Sequence, residues 1–477
     1  MRILMAASEM APLATTGSLG ASLDLLPKAL AKRGHDVSVI LPFYRAIREF
    51  PKLKTRSTGV LLTVQVGPKR IEAEILETTA PNGLQLFLAR RDEYFDRSGL
   101  YGVEGRPYDD AAERFIFFSK AVADLARHLT PKPDVLHCHD WHTALAPVLA
   151  RLRSMPFKTV LTIHDLAFQG NFWAVDFGLT NLPPEYFGPR GVEFHGAMNL
   201  LKGGIISADA VTTAGERYAR AIQTPACGCG LDGILRENAK KLRGVLSGID
   251  PAEWNPATDT AIAKKYRSVG SPGKAACREA LLAELELAPK PAGPVFTAAA
   301  LAGDHLSIAI LLPILDRLLA DDVRLVLRAP GTPRHAKELS IAAKRHAGRL
   351  VVVHGTDAAL ERRVLAGADS AIIPFHSEPG DETTLRSLRY GLVPVARAVG
   401  GLHQTIRDFD PSSAEGNGFL YFDDWPEALW DAVGRAKKQF AQPDAWKQLA
   451  DRSMAEDWTW DRAALEYEKI YGRLVGG

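Results

Sequence analysis

The feature that most constrains this chain is an almost unbroken alternation of short β-branched runs with helix-length segments. The runs read DVSVIL (36–41), DVLHC (134–138), TVLTI (159–163) and AVTTA (210–214), then VFTAAA (295–300), VRLVL (323–327), LVVVH (350–354), SAIIP (370–374) and VPVA (393–396). Strands spaced this way predict parallel sheets joined by crossover helices. At 477 residues the chain is too long for one ordinary core. The expected fold class is therefore α/β, with two doubly wound Rossmann-like lobes facing a cleft. Ligands of such sheets sit at the carboxyl ends of the strands.

Two stretches interrupt the alternation. GVLLTVQVGPKRIEAEILETTAPNGLQLFLA (59–89) switches to period two with an Asn-Gly turn at 82–83, which predicts a β-hairpin or meander inserted near 58–90. GIDPAEWNPATD (248–259) has neither helical nor strand period and marks a boundary. The expected division is a first lobe over 1–255 and a second over 256–456.

Charge excludes some partners. The 58 basic and 56 acidic residues leave +2, which offers no global pull toward nucleic acid or an anionic membrane. No apolar run approaches the roughly 20 residues of a membrane span, and Met1 leads straight into a strand, so a cytoplasmic protein is expected. Cysteines 138, 227, 229 and 277 include a C-x-C but no C-x-x-C. They read as reduced thiols, and no metal or cofactor is expected.

Three local patterns invite chemistry. Residues 15–20, TTGSLG, link an apolar strand to an amphipathic helix, the arrangement that offers helix-terminal N–H groups to a phosphate or sugar. Yet no Lys or Arg lies between Arg2 and Lys28. HCHDWH (137–142) suggests metal at first sight. However, 137 and 139 share a strand face, while Asp140 and His142 fall in the turn and first helical turn, so Asp140 also reads as an N-cap. His164 ends a strand, where a histidine is commonly a structural hydrogen-bonder.

Taken together, longer segments carry a resemblance. SEMAPL (8–13), DVLHCHDWHTALAP (134–147), TIHDLAFQGNF (162–172), FHGAMNLLKGGIISADAVTTAGERYARAIQTP (194–225), GLDGILR (230–236), SGIDPAEWNPATD (247–259), SEP (377–379), LRYGLVPVARAVGGLHQTIRD (388–408) and DWTWDRAALEYEKIY (457–471) occur in order. The chain resembles the bacterial glycogen synthases and plant starch synthases, retaining transferases that extend α-1,4-glucan from ADP-glucose. The resemblance implies the two-lobed glycosyltransferase fold of the B type, with a C-terminal helix over 457–477 crossing back to the first lobe. It also implies catalytic roles for His164, Asp140 and Glu378, and a retained substrate position at Thr383.

The same resemblance exposes departures. The family loop K-T-G-G-L-A-D is Thr15-Thr16-Gly17-Ser18-Leu19-Gly20-Ala21 here, so the lysine becomes Thr15 and the glycine after Gly17 becomes Ser18. The family's S-R-L-x-x-Q-K-G aligns with ALAGDHLS (300–307), placing Leu301 at the arginine, Leu306 at the lysine and Ser307 at the glycine. Thr356 stands where the family has an adenine-stacking tyrosine, and Ser247 where it has an asparagine. Asp381 and Glu382 stand beside the expected phosphates. Losing one preorganised contact to developing charge lowers a rate by a hundred-fold or more, about 3 kcal/mol. Two expectations follow from the resemblance. One is transfer of glucose from ADP-glucose to glycogen or maltooligosaccharide, with Lys202, Arg328 or Arg397 standing in for the missing cations. The other is a catalytically impaired or inactive homologue that binds glucan or an active synthase.

Overall fold

The computed structural model describes residues 1–103, 105–290, 293–299, 305–329, 335–355, 357–375 and 382–476. The chain divides into two compact units, one made of Met1–Ser247 with Trp460–Gly477 and the other of Gly248–Thr459.

The first unit is built on a sheet of nine strands among the described residues. In chain order they are β1 (Arg2–Ala6), β2 (Asp36–Pro42), β3 (Arg56–Val66), β4 (Lys69–Thr79), β5 (Gln85–Arg90), β6 (Val135–His139), β7 (Lys158–Ile163), β8 (Ala210–Thr213) and β9 (Leu242–Gly244). The spatial order is β9-β8-β7-β6-β1-β2-β5-β4-β3. Pairings from β9 to β5 are parallel, and β5/β4 and β4/β3 are antiparallel. The expected hairpin is thus a three-strand extension of the main sheet itself. Its β4–β5 turn holds Gly83 at φ 87°, a left-handed value suited to the Asn-Gly sequence.

From the central β1 the chain runs first to β2 on one side and later to β6 on the other. The β1–β6 border is therefore the topological switch point, where doubly wound sheets open a crevice. The loops after β1 and β6 both leave from this border. The helix Ser18–Lys32 (α1) follows the first loop and buries Leu19, Leu23, Leu26 and Leu30 at helical spacing. Gly20, expected in the loop, lies inside this helix, whose first residue is Ser18.

The C-terminal helix Trp460–Val475 belongs to this unit and packs along α1. Lys32 bonds Asp461 at 2.9 Å, and Arg33 and His35 reach Glu468 at 2.5 and 3.2 Å. Beneath that rim the helix carries polar groups into the core. Tyr471 Oη lies 2.7 Å from His137 Nδ1, and Tyr467 Oη lies 3.3 and 3.4 Å from the hydroxyls of Thr162 and Thr212. Satisfied polar contacts of this kind fix one register where apolar packing alone tolerates sliding.

The second unit holds six parallel strands among the described residues: β10 (Val295–Ala299), β11 (Arg324–Arg328), β12 (Leu350–Val353), β13 (Ser370–Ile373), β14 (Val393–Arg397) and β15 (Phe419–Tyr421). Their order, β12-β11-β10-β13-β14-β15, puts this switch point between β10 and β13. The segments that follow those two strands, 300–304 and 376–381, lie outside the described residues. Where the chain enters and leaves this unit, Ile249 donates its backbone N–H to Trp458 at 2.8 Å.

Candidate active site

The loop after β1 is organised by a buried acid. Glu9, 4% exposed, accepts the backbone N–H groups of Thr16 at 2.6 Å and Gly17 at 3.3 Å. The same carboxylate accepts the Thr16 hydroxyl at 2.8 Å and the Tyr101 hydroxyl at 2.6 Å. The Gly17 amide, at the N-cap of α1, is one that the helix leaves without a helical partner, and the Thr16 amide lies in the loop just before it. The loop therefore carries its own anion, which explains how it stays ordered without a cation of its own. Thr15 folds inward over Gly20, where an added Cβ would sit 2.2 Å from the Thr15 hydroxyl. Thr15, Gly17 and Ser18 themselves are exposed.

The loop after β6 turns sharply at Asp140, whose φ of 57° is left-handed. Aspartate tolerates that region because its short polar side chain bonds locally. Here Asp140 Oδ1 accepts the His164 N–H at 2.7 Å, while the Asp140 N–H donates to Thr162 O at 2.9 Å. The ends of β6 and β7 are stitched together by one residue. Asp140 is consequently not an N-cap: the next helix begins at Leu145, and His142 lies in the turn before it. Thr143 locks this turn, its hydroxyl accepting the His139 N–H at 2.8 Å and standing 2.9 Å from His139 O.

The histidines of HCHDWH do not converge as metal ligands: His137 bonds hydroxyls, His139 bonds His164, and His142 is held by ring stacking. His137 Nε2 lies 2.6 Å from the Thr162 hydroxyl, with Tyr471 on its other nitrogen. His139 Nδ1 lies 2.9 Å from His164 Nε2. His142 stacks on Trp141 and Tyr101 at 4.0 and 4.8 Å between ring centres. Among the described residues no three His, Cys, Asp or Glu side chains are grouped to hold a metal. Gly170, at φ 63°, lets the loop after His164 lie on Trp141, where a Cβ would come within 2.5 Å of the indole.

Burial sets the charge of this cluster. It pushes His164 down to about 4, His137 and His142 down to about 3, and His139 well below its ordinary value. The four rings are neutral near pH 7. Burial pushes Asp140 up to about 8, against the pull of the His164 amide and with help from the nearby Asp165 and Glu9 charges. Ser247 and His164 line one small cavity, together with Ser22 and Leu26 of α1 and Trp460 and Tyr467 of the C-terminal helix.

The second unit arranges its charges differently. Leu306, 50% exposed, and buried Ser307 occupy the first turn of the helix His305–Ala320. Thr383 is half-buried on the helix Glu382–Arg389. Leu301, Thr356, Glu378 and Asp381 lie outside the described residues. Arg328, at the carboxyl end of β11, pairs with Glu361 at 2.9 Å, and Arg386 reaches the same carboxylate at 3.6 Å and pairs with Glu382. Arg397, at the end of β14, pairs with Asp424 at 3.2 Å. In the first unit, Lys202 donates to the carbonyls of Gly188 and Glu193. All three proposed stand-in cations are thus engaged by partners within their own units.

Comparison with known proteins decides the family. The starch synthase catalytic domain family matches residues 2–237. Over its full length the chain is similar to the glycogen synthase of Anaeromyxobacter sp., with 39% identity over 100% of both chains. It is 36% identical to glycogen synthase 2 of Geobacter sulfurreducens, covering 99% of this chain and 98% of that one. The chain belongs to the glycogen and starch synthase family. Among solved structures it is similar to the catalytic domain of starch synthase IV from Arabidopsis thaliana bound to ADP and acarbose, with a TM-score of 0.88 and 27% identity over 100% of this chain and 99% of that one. The sucrose-phosphate synthase of Thermosynechococcus elongatus, at 15% identity and a TM-score of 0.60 over 100% and 99% of the two chains, shares the fold.

As a glycogen synthase-type glycosyltransferase of the two-lobed B type, the chain keeps Asp140 and His164 in direct contact in its first unit. Glu9, His139 and Tyr471 complete that cluster; the sequence marked residue 139 only as part of the metal-like HCHDWH pattern, and it did not single out Glu9 or Tyr471. Glu9 was visible as a lone acid in SEMAPL. His139 and Tyr471 act through partners 25 and 334 residues away, and no local pattern signals such pairings.

Proposed function

We propose that the protein lengthens α-1,4-glucan in the cytoplasm by moving a glucosyl group from ADP-glucose, with retention at the anomeric carbon. The observation that carries this reading is the Asp140–His164 contact beside the switch point of a full-length glycogen synthase relative. Transfer with retention needs groups held in place as positive charge develops on the sugar and negative charge on the departing diphosphate. The His164 imidazole and the Asp140 carboxyl group, tied together by one backbone bond, are held in place without reorganising. The resemblance to the family suggests donor-side roles for Glu378 and Thr383. Maltoheptaose incubated with ADP-glucose should yield longer oligosaccharides and free ADP in equal amounts. Oligosaccharides of unchanged length would refute transfer.

One observation favours a second reading, weak or absent transfer. Arg328, Arg397 and Lys202 already serve acceptors of this chain, so an incoming diphosphate competes with them for charge-assisted bonds. Calorimetry with ADP separates the two readings. Micromolar binding supports the first, and absence of heat alongside binding of maltoheptaose supports the second.

A further inference from the structure

The geometry points to His139 as the positioning residue that fixes the tautomer of His164, so that His164 presents a Nδ1–H donor to its ligand. His139 Nδ1 and His164 Nε2 are 2.9 Å apart, and one hydrogen bond between two neutral rings takes one proton. Either ring can in principle supply it. If His164 Nε2 carried the proton, His139 Nδ1 would accept it and the His139 proton would sit on Nε2. That nitrogen is buried and has no hydrogen-bond partner among the described residues. A buried N–H without an acceptor is among the rarest features of folded proteins. If His139 Nδ1 carries the proton instead, the orphan Nε2 is a bare lone pair and no donor is stranded. His164 Nε2 then accepts, and the His164 proton must sit on Nδ1.

The surroundings hold this choice in place. The His139 backbone is clamped by Thr143. Its ring lies 4.1 Å from the His137 ring and 5.2 Å, nearly parallel, from that of His164. His137 is held on both nitrogens, by Tyr471 and Thr162. The His164 backbone is fixed by Asp140. An imidazole locked as a Nδ1–H donor recognises a lone pair on oxygen, in a sugar hydroxyl or a phosphoryl group, and cannot act as an acceptor or base through that atom. Assigning such an oxygen to the transferred sugar rests on the glucosyltransferase reading above; the tautomer itself does not.

The test is long-range 1H–15N correlation on the full chain labelled with 15N-histidine, with the His164 signals assigned from their loss in His164→Gln. The expected pattern is a protonated Nδ1 and a pyridine-like Nε2 on His164; the reverse pattern overturns the proposal. His139→Asn keeps an amide N–H where Nδ1 stood and should preserve the pattern. His139→Leu removes the donor and should return His164 to a mixture with Nε2–H in excess. An unchanged pattern in the leucine variant would also overturn it, and the wild-type spectrum decides the matter if that variant does not fold. In glucosyl transfer, His139→Leu should lower kcat about tenfold, the worth of one misaimed hydrogen bond to charged or reacting groups, with KM for glucan unchanged and kcat recovered in His139→Asn. A wild type without transfer but with the expected His164 pattern would refute the function and leave the tautomer assignment standing.

Discussion

At the strand ends of the first unit, four imidazoles lie in a buried cluster in which His137 bonds the Tyr471 and Thr162 hydroxyls, His139 bonds His164, and His139 Nε2 and His142 Nδ1 are left without partners among the described residues. At the strand ends of the second unit, Arg328 and Arg397 are met by Glu361 and Asp424. Both solutions pair polar groups with partners inside the same unit, but they differ in what a ligand encounters. Neutral rings stay uncharged because ionising them in a low-dielectric interior is costly. Paired guanidinium groups remain charged and must exchange one anionic partner for another. The first unit thus offers prepared neutral donors, and the second offers cations that a phosphate has to win from the protein.

The largest expected effect breaks the first side of this comparison. Asp140→Ala removes the acceptor for the His164 amide and leaves a poorly tolerated residue at φ 57°. Transfer of labelled glucose to glycogen should fall at least about a hundred-fold. Retention of most of the wild-type rate would show that this contact is only structural.

A smaller effect concerns pH. The folded pKa values of His137 and His142 lie below the ordinary value for histidine, so their contribution to stability is full above pH 6.5 and is lost as pH falls toward about 3. Between pH 7 and pH 5 each should remove about 2 kcal/mol. Asp140, raised to about 8, runs the other way, since its folded form binds more protons than the unfolded chain over this window. His142→Phe keeps the stacked ring, so urea unfolding at the two pH values should show its loss on acidification smaller than that of the wild type by about 2 kcal/mol. Equal losses would mean that His142 takes up its proton in the folded state.

The second side of the comparison can be sharpened with Glu361→Gln. Removing this carboxylate leaves Arg328 and Arg386 less neutralised, and ADP should bind about tenfold more tightly by calorimetry, one charge-assisted contact's worth. Unchanged affinity would place the diphosphate elsewhere. Smallest is Tyr471→Phe, which deletes the bond to His137 at a cost of about 1 kcal/mol. A change of less than a few tenths in urea unfolding would show that the C-terminal helix is held by its apolar face alone.

How much of this was legible follows from the range of each interaction. Strands such as DVSVIL and VRLVL announced themselves because buried parallel strands are runs of β-branched residues. Leu242–Gly244 and Phe419–Tyr421, three residues each, are too short to carry a period. The antiparallel ribbon of Asn171–Phe172, Glu193–Phe194 and Ala197–Asn199 is equally short. Asp140 could be read from its motif as a candidate site residue but not as a left-handed turn, because its carboxyl group bonds an amide 24 positions away. The absence of a cation near Gly17 was legible, while its explanation required seeing Glu9 folded back onto the loop. Local patterns revealed elements, and only coordinates revealed which polar atoms face each other.

The most direct trial of the account is the initial rate of label transfer from ADP-[14C]glucose to glycogen, measured for the wild type beside Asp140→Ala. The account predicts incorporation by the wild type that rises linearly with enzyme and falls to the blank in the variant. Incorporation no greater than the variant's, at protein concentrations where maltoheptaose binding is saturated, would contradict it.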